Sequence, residues 1–370
     1  MSIATIEVSV SALKNNVAFF KQLNPNCQIM AIVKANAYSH GKLGIAKILN
    51  NLVDYLGVAR LEEGIELRKQ GVTTPILLLE GFFIHDELQQ LADYDLQTVV
   101  HCPQQIESLQ QQTISKPLNV WFKIDTGMHR LGFRLENALA QFNQLVNCDS
   151  VNKPINVITH FSCADELNSN KTEQQIALFD QFITSIADSA LIGKQSLAAS
   201  GGILAWAESH RDVIRPGIAL YGVSPFDYNE KGKSTGEQLG LKPVMTLKSE
   251  LIAIREHKQG EAVGYGLIWS SQQDTRLGVV AMGYGDGYPR GIKANTPVWI
   301  NGREVPIVGR VAMDMVLVDL GADSTEKVGD EVIFWGNDAL PVERIAAHSN
   351  MSAYELLTRL TERAQIKYVE

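Results

Sequence analysis

The sequence lacks the features that mark membrane, secreted and nucleic-acid-binding proteins. No stretch approaches the roughly 20 consecutive apolar residues of a membrane-spanning helix, and residues 1–10 lack the apolar core of a secretory signal. The 41 acidic residues outnumber the 33 Lys and Arg residues, and no block of basic residues is present to bind nucleic acid. We therefore expect a soluble, cytoplasmic protein that binds a small molecule, with no nucleic acid and no membrane as partner.

Cysteine is also scarce. Cys27, Cys102, Cys148 and Cys163 are widely separated, and no C-x-x-C pair is present. This spacing excludes a zinc knuckle and a disulfide framework, so we expect buried free thiols and no metal site.

Short apolar runs rich in β-forming residues recur every 15 to 40 residues, with helix-compatible stretches between them. The eight runs are Ile29–Val33, Tyr55–Ala59, Pro75–Leu79, Leu96–Val100, Asn119–Ile124, Asn156–His160, Ser196–Ala199 and Ile214–Tyr221. Eight strands alternating with helices predict an α/β fold with an N-terminal (β/α)8 TIM-type barrel, which usually takes about 250 residues.

Reactive groups in such barrels lie where the strands end. Here the strand ends carry Lys34, Arg60, Glu80, Lys123 with Asp125, His160, Ser200 and Arg215. Polar residues without apolar periodicity then crowd residues 227–240, which indicates a linker. We therefore predict a barrel domain at 1–235 and a C-terminal mainly-β domain at 236–370, with helical periodicity returning over 341–365.

Lys34 follows an apolar strand directly and precedes small and polar residues up to His40-Gly41. Strand alternation directs Lys34 toward the barrel mouth. One reading is a structural ion pair. The other is a nucleophilic amine that forms a Schiff base, because desolvation and cationic neighbours lower a lysine pKa. The local sequence leaves both readings open.

Motifs across nearly the whole chain resemble those of the alanine racemases, which depend on pyridoxal 5'-phosphate. The matching segments are 33–41 (VKANAYSHG), 125–132 (DTGMHRLG), 159–161 (THF), 199–202 (ASGG), 215–218 (RPGI), 264–266 (GYG), 283–287 (GYGDG), 309–314 (GRVAMD) and 352–355 (SAYE). The resemblance implies that Lys34 carries the cofactor as a Schiff base. It also implies a phosphate site formed by Tyr38, Ser200, Tyr354 and the backbone amides of Gly217 and Ile218.

Arg215 matches the family residue that faces the pyridine nitrogen of the cofactor, with His160 beside it. A protonated guanidinium can only donate hydrogen bonds, so the ring nitrogen stays unprotonated and the ring is a weaker electron sink. That arrangement favours racemisation over transamination. An amino-acid decarboxylase of similar plan would need an acidic residue at this position.

Racemisation needs a second base on the opposite face of the α-carbon. Tyr265 matches the family's second base, which the resemblance places in the active site from the other subunit of a homodimer. Neighbouring cations must make its phenolate accessible, and His160 and Arg215 are the candidates. By resemblance, Tyr265 takes the proton from L-alanine and Lys34 takes it from D-alanine.

The remaining matches concern the substrate. Arg130 and Met313 match residues that bind it, Lys123 matches a position that is carbamylated in many family members, and Tyr284 and Tyr354 match residues that narrow the entrance. The expected activity is interconversion of L- and D-alanine, which supplies D-alanine for peptidoglycan synthesis. The alternatives are a broader serine/alanine racemase, since hydrophobic pockets reject a hydroxyl weakly, and a non-catalytic pyridoxal-phosphate carrier.

One position departs from the family pattern. Ser39 stands where family members more often have glycine before the matching histidine. A positive φ there would be costly for serine and free for glycine.

Overall fold

The computed structural model describes residues 3–228 and 235–370. The chain forms two compact units. We name Val17–Ala37 with Lys42–Leu220 the barrel unit, and Met1–Asn16 with Tyr38–Gly41 and Tyr221–Glu370 the β unit. The boundary at residue 235 stays a prediction, and residues 229–234 of the predicted linker lie outside the described residues.

The element bounds are as follows. The strands are β1 (Thr5–Ser9), β2 (Gln28–Ile32), β3 (Tyr55–Val58), β4 (Ile76–Leu78), β5 (Leu96–Val100), β6 (Val120–Lys123), β7 (Ile155–Ile158), β8 (Ile192–Ser196), β9 (Val213–Ile214), β10 (Met245–His257), β11 (Ala262–Val263), β12 (Trp269–Ser270), β13 (Thr275–Val280), β14 (Pro297–Ile300), β15 (Arg303–Val308), β16 (Val316–Asp319), β17 (Glu331–Trp335) and β18 (Gln365–Val369). The helical segments are α1 (Val10–Leu23), α2 (Lys34–Tyr38), α3 (Lys42–Leu49), α4 (Leu61–Lys69), α5 (Glu87–Asp93), α6 (Pro103–Gln111), α7 (Leu135–Val146), α8 (Lys171–Ser185), α9 (Ser200–Ala205), α10 (Val342–His348) and α11 (Ala353–Thr358).

The barrel unit is built on one parallel sheet in the spatial order β8-β7-β6-β5-β4-β3-β2-β9. The two edges meet just beyond β8 and β9, where the amide of Arg215 donates to the carbonyl of Ala198 at 2.9 Å. This bridge nearly closes the sheet into a barrel and brings the carboxyl ends of its parallel strands to one mouth. The predicted (β/α)8 barrel is confirmed.

Helices pack on the outside of the barrel through aromatic side chains. Phe122 of β6 stacks on Phe133 at 4.6 Å between ring centroids and meets Phe142 of α7 and Phe182 of α8 at 5.4 and 5.5 Å. Burying each such ring contributes roughly 1.5–3 kcal/mol. This packing fixes α7 and α8 against the strands that end at the mouth.

The predicted strands differ from the structure at the end of the barrel. The seventh strand lies at Ile192–Ser196 and not at Ser196–Ala199. The prediction missed it because Gly193, Lys194 and Gln195 give this strand no apolar run. The eighth ends at Ile214, because Pro216 has no N–H to donate to a sheet.

The β unit contains a second sheet in the order β13-β16-β15-β14-β17-β10-β1-β18, with β13 also paired to β10. Strand β1 runs antiparallel to β10 and parallel to β18. The mainly-β character predicted for the C-terminal part is confirmed.

The helical stretch predicted for 341–365 is interrupted. It forms α10 and α11, and the chain enters β18 at Gln365. Asn350 adopts a φ of +59° between the two helices, and the amide of Met351 donates back to the carbonyl of Ala346 at 2.9 Å. A left-handed asparagine with such a bond is a common helix end.

No helix among the described residues is long and apolar enough to cross a membrane.

Candidate active site

Lys34 lies at the mouth of the barrel, two residues beyond the end of β2, and begins a left-handed turn. The next five residues, Ala35 to Ser39, all have φ between +53° and +62°. Left-handed backbone costs an L-residue about 1–2 kcal/mol, so a run of five needs support from its surroundings. The departure at Ser39 therefore falls at a position where glycine would be free of strain.

Two side chains hold this turn within the barrel unit. The carboxylate of Glu63, in the first turn of α4, accepts the amide of Ala35 at 3.0 Å and the amides of Ala59 and Arg60 at 2.8 and 3.1 Å. The side chain of Asn36 accepts the amide of Lys42 at 2.8 Å. Sequence reasoning missed Glu63, whose only signal is its place at the third position of a helix.

Three cationic side chains act on Lys123 at this mouth. Burial, followed by the positive charges of Arg215, Arg130 and Lys34, lowers the pKa of Lys123 to about 8. Lys123 ends β6, so these effects place all four predicted residues in one electrostatic cluster. The amine of Lys123 is thus partly neutral near physiological pH, which is the form that reacts with carbon dioxide.

Arg215, a member of this cluster, is buried at 3% exposure. Its guanidinium donates to the hydroxyl of Ser196 at 2.7 Å and to the carbonyls of Thr159 and Leu197 at 2.7 and 3.1 Å. Burial lowers the pKa of Arg215 to about 9, so the group remains protonated at pH 7.

His160 lies beside Arg215, as predicted, with Nδ1 3.4 Å from a guanidinium nitrogen. Burial and then the charges of Arg215, Lys123, Arg130 and Lys34 hold the pKa of His160 well below its ordinary value. The imidazole is therefore neutral at pH 7 and Nδ1 accepts the bond. Of the two side chains predicted to assist Tyr265 by a positive charge, only Arg215 is charged at pH 7.

A group of hydrogen-bond donors lies at the ends of β8 and β9. Ser200 begins α9, and its hydroxyl oxygen accepts the amides of Gly217 and Ala219 at 3.0 and 3.3 Å. A short 310 turn begins at Ile218. The predicted phosphate ligands of the barrel unit, Ser200, Gly217 and Ile218, are thus adjacent.

The turn leading to Arg130 is organised by Asp125. Its carboxylate accepts the amides of Gly127 and His129 at 3.1 and 3.0 Å and lies 3.0 Å from the His129 ring. Burial raises the pKa of Asp125, but the bonds from His129 and Gly127 outweigh it and hold the pKa below its ordinary value. Asp125 therefore has a structural part in this turn.

The other two strand-end residues pair with each other. Arg60 lies 3.0 Å from Glu80 and also covers the ring of Phe83 at 5.0 Å.

In the β unit, Tyr38 and Tyr354 lie together with their ring centroids 6.1 Å apart. Burial raises the pKa of Tyr38 well above its ordinary value, so this phenol stays protonated and can donate a hydrogen bond. The structure therefore brings together the two tyrosines predicted at the phosphate.

The loops of Tyr284 and Met313 are paired by backbone hydrogen bonds. The amide of Tyr284 donates to Ala312 at 3.1 Å, and the amide of Gly285 donates to Met313 at 2.8 Å. Tyr265 lies on a separate 310 turn and is 70% exposed.

Arg363 ties the first two loops together and was missed by sequence reasoning. It lies 3.1 Å from Asp286 and 2.8 Å from Asp314, which flank Tyr284 and Met313. Within residues 3–228 and 235–370, no three His, Cys, Asp or Glu side chains are grouped as metal ligands.

Comparison with known proteins covers both units. Residues 8–225 match the family model of the alanine racemase N-terminal domain, and residues 244–368 match that of the alanine racemase C-terminal domain. The chain is 54% identical over 370 residues to an alanine racemase of Pectobacterium carotovorum, covering 100% of this chain and 99% of that protein. It is 52% identical to the biosynthetic alanine racemase of Escherichia coli, with 100% of each covered.

Among solved structures, biosynthetic alanine racemase from Pseudomonas aeruginosa matches with a TM-score of 0.93 and 39% identity, over 100% of both chains. The alanine racemase of Acinetobacter baumannii matches with a TM-score of 0.90 and 37% identity, also over 100% of both. Sequence, fold and full-length coverage agree, and the chain belongs to the alanine racemase family.

Proposed function

We propose that the protein interconverts L- and D-alanine with pyridoxal 5'-phosphate and two bases, Lys34 and Tyr265. The observation that carries the proposal is the buried, protonated Arg215 in the same electrostatic cluster as Lys34. A fixed hydrogen-bond donor suits a cofactor whose ring nitrogen accepts a hydrogen bond and stays unprotonated.

The chemistry of the donor set fits this cofactor. Its phosphate would be held by the hydroxyls of Ser200, Tyr38 and Tyr354 and by the amides of Gly217 and Ile218. Hydroxyls and amides at helical starts neutralise phosphate without a metal. Arg215 and the neutral His160 would face the ring, and Lys34 would form the covalent link. When bound, the cofactor withdraws electrons from the α-carbon and thereby acidifies its C–H bond.

Proton transfer then falls to the two bases on opposite faces of the α-carbon. Lys34 removes the proton of D-alanine, and Tyr265, supplied by the other subunit of a homodimer, removes that of L-alanine. A tyrosine that is 70% exposed in the single chain fits a group that meets its substrate across a subunit interface. The positive charge of Arg215 would favour its phenolate.

Arg130 would bind the substrate carboxylate through its planar guanidinium, with Met313 contributing its backbone amide. Lys123 would orient Arg130 through its charge. In its cationic form it repels Arg130, whereas a carbamate would attract it. The pKa of about 8 leaves part of the amine neutral for that modification.

The carbamate is tested on the wild-type protein and Lys123→Met with ¹³C-labelled bicarbonate. A carbamate carbon signal is expected in the wild type and absent from the variant. A spectrum without that signal in the wild type would remove the modification from the proposal.

Tyr284 and Tyr354 would narrow the entrance and restrict the side chain to about the size of a methyl group. We propose that the enzyme acts in the cytoplasm and supplies D-alanine for peptidoglycan. Because an added hydroxyl is rejected only weakly by an apolar pocket, serine is the competing substrate to test.

The decisive experiment supplies purified protein and pyridoxal phosphate with L-alanine and follows D-alanine with a D-specific oxidase. A parallel reaction with L-serine measures the ratio of the two kcat/KM values. Absence of D-alanine would refute the proposal, and equal values for serine would favour the broader racemase.

A further inference from the structure

Gln175 is a polar residue on the buried face of α8. It is 3% exposed and lies on the same face as Thr172, Ile176, Phe179 and Phe182, which are also buried. An amide in such a place is costly unless its hydrogen-bonding capacity is used. The sequence signal for Gln175 is a polar residue at a position where the helical spacing of α8 calls for an apolar one.

All four hydrogen-bonding positions of the Gln175 side chain are used. Its oxygen accepts the amide and the hydroxyl of Ser162 at 2.9 and 3.0 Å. Its nitrogen donates to the hydroxyl of Thr126 at 3.2 Å and to the carbonyl of His160 at 3.3 Å. Two donors and two acceptors are the full complement of a side-chain amide.

Only one orientation of this amide satisfies its neighbours. The carbonyl of His160 can only accept, and the amide of Ser162 can only donate. If the side-chain amide of Gln175 were flipped, its oxygen would face the His160 carbonyl and its NH₂ group would face the Ser162 N–H, so neither bond could form. Thr159 also donates to the carbonyl of Ile124 at 2.9 Å, so Thr126 must donate to Thr159, at 2.9 Å, and accept from Gln175.

These bonds join two loops at the barrel mouth. Thr126 belongs to the turn between β6 and Arg130, and the stem of Gln175 also lies against Gly127, where a Cβ would stand 3.5 Å from its Cγ. The carbonyl of His160 and the backbone of Ser162 belong to the loop after β7. One side chain from α8 thus bonds to the hydroxyl of Thr126 in one loop and to the backbone of His160 and Ser162 in the other.

We propose that Gln175 is a positioning residue that sets Arg130 and His160 relative to each other. The inference rests on the proposed function, in which Arg130 binds the substrate carboxylate and His160 backs Arg215. Displacing such groups by about 1 Å can cost about 10²-fold in rate, even when the substituted residue itself does not touch the substrate.

The test compares Gln175→Met, which keeps the length of the side chain and removes all four bonds, with Gln174→Met on the exposed side of the same helix. Steady-state kinetics give KM and kcat for alanine in the cofactor-loaded enzyme. Amide hydrogen exchange is measured over residues 126–130 and 160–162. Thr126→Val, of nearly the same shape, removes only one of the four bonds of Gln175, together with the bond from Thr126 to Thr159, and serves if Gln175→Met does not fold.

Gln175→Met is expected to raise KM by about tenfold and to lower kcat/KM by about 10- to 100-fold, with faster exchange in both segments. Thr126→Val is expected to give a smaller rise in KM, and Gln174→Met no change. A Gln175→Met protein that unfolds at a lower temperature but keeps the wild-type KM and kcat would overturn the proposal.

Failure of the proposed function is a separate outcome. A wild-type protein without racemase activity would refute that function, whereas the exchange difference between Gln175→Met and Gln174→Met would still decide whether Gln175 holds the two loops. Equal exchange in these two variants would refute the inference even in an active enzyme.

Discussion

Several candidate site residues of the two units differ sharply in exposure, although Tyr38 of the β unit is buried and Arg130 of the barrel unit is exposed. In the barrel unit, Arg215 is 3% exposed, and it and Lys34 are among the charges that lower the pKa of Lys123. In the β unit, Tyr265 is 70% exposed and Met313 is 51% exposed. Burial and nearby charges shift the pKa values of grouped ionisable side chains. The surroundings of an exposed aromatic side chain depend instead on any surface that covers it. The buried Arg215 thus has a fixed charge, whereas the proposed role of Tyr265 depends on its being covered by a second subunit.

The units also position these residues by different means. In the barrel unit, side chains hold the backbone: Glu63 binds three amides and Gln175 links two loops. In the β unit, the loops of Tyr284 and Met313 are joined by direct backbone bonds, to which the side chain of Arg363 adds ion pairs. Substitutions of single side chains should therefore disturb the barrel unit more.

The largest effect is expected for Lys34→Ala, which removes one base and the covalent link to the cofactor. Racemisation should fall by at least about 10³-fold in both directions. Coupled oxidase assays measure each direction, with the exposed Lys14→Ala as control. Activity within tenfold of the wild type would contradict the assignment of the covalent link and of one base to Lys34.

Tyr265→Phe tests whether the exposed Tyr265 of the β unit is the second base. Removal of the α-proton from L-alanine should fall by about 10²- to 10⁴-fold, and removal from D-alanine by much less, because Lys34 is intact. Initial rates of deuterium incorporation from D₂O measure each enantiomer, and Tyr94→Phe is the control. Equal losses for the two enantiomers would contradict the division of labour.

Glu63→Ala removes the acceptor of three backbone amides around the Lys34 turn. The free energy of unfolding should drop by about 1–3 kcal/mol. Activity should fall by about tenfold, since the amine is less well placed. Urea unfolding and racemase rates measure these, with the exposed neighbour Glu62→Ala expected within about 0.5 kcal/mol of the wild type. A stable and fully active Glu63→Ala protein would show that the turn needs no such support.

The smallest effect is expected for Ser39→Gly. At a φ of +62°, glycine relieves strain and should stabilise the protein by up to about 1 kcal/mol with kcat unchanged. Ser11→Gly, in α1, should destabilise by about 0.5–1 kcal/mol. The shift of the urea midpoint should thus have opposite signs in the two variants. Destabilisation by Ser39→Gly would mean that the serine side chain outweighs the strain.

The barrel was predictable because its strands are apolar runs of ordinary length. The predictions failed where the local pattern was ambiguous: β8 contains Gly193, Lys194 and Gln195, and the left-handed Asn350 follows the end of α10. The pairing of β1 with β18 joins the two ends of the described chain, and no local pattern encodes such a partner.

The sequence by itself determined the alternation of strands and helices, the family, and the residue types available for chemistry, because these depend on local periodicity and on motif identity. Only the tertiary structure decided that His160 is neutral and that the pKa of Lys123 is about 8, since both follow from burial and from charges on other strands. It likewise decided the left-handed turn after Lys34 and the bonds of Gln175, because the residues that hold them are distant in the chain. Distances across the fold set protonation and position.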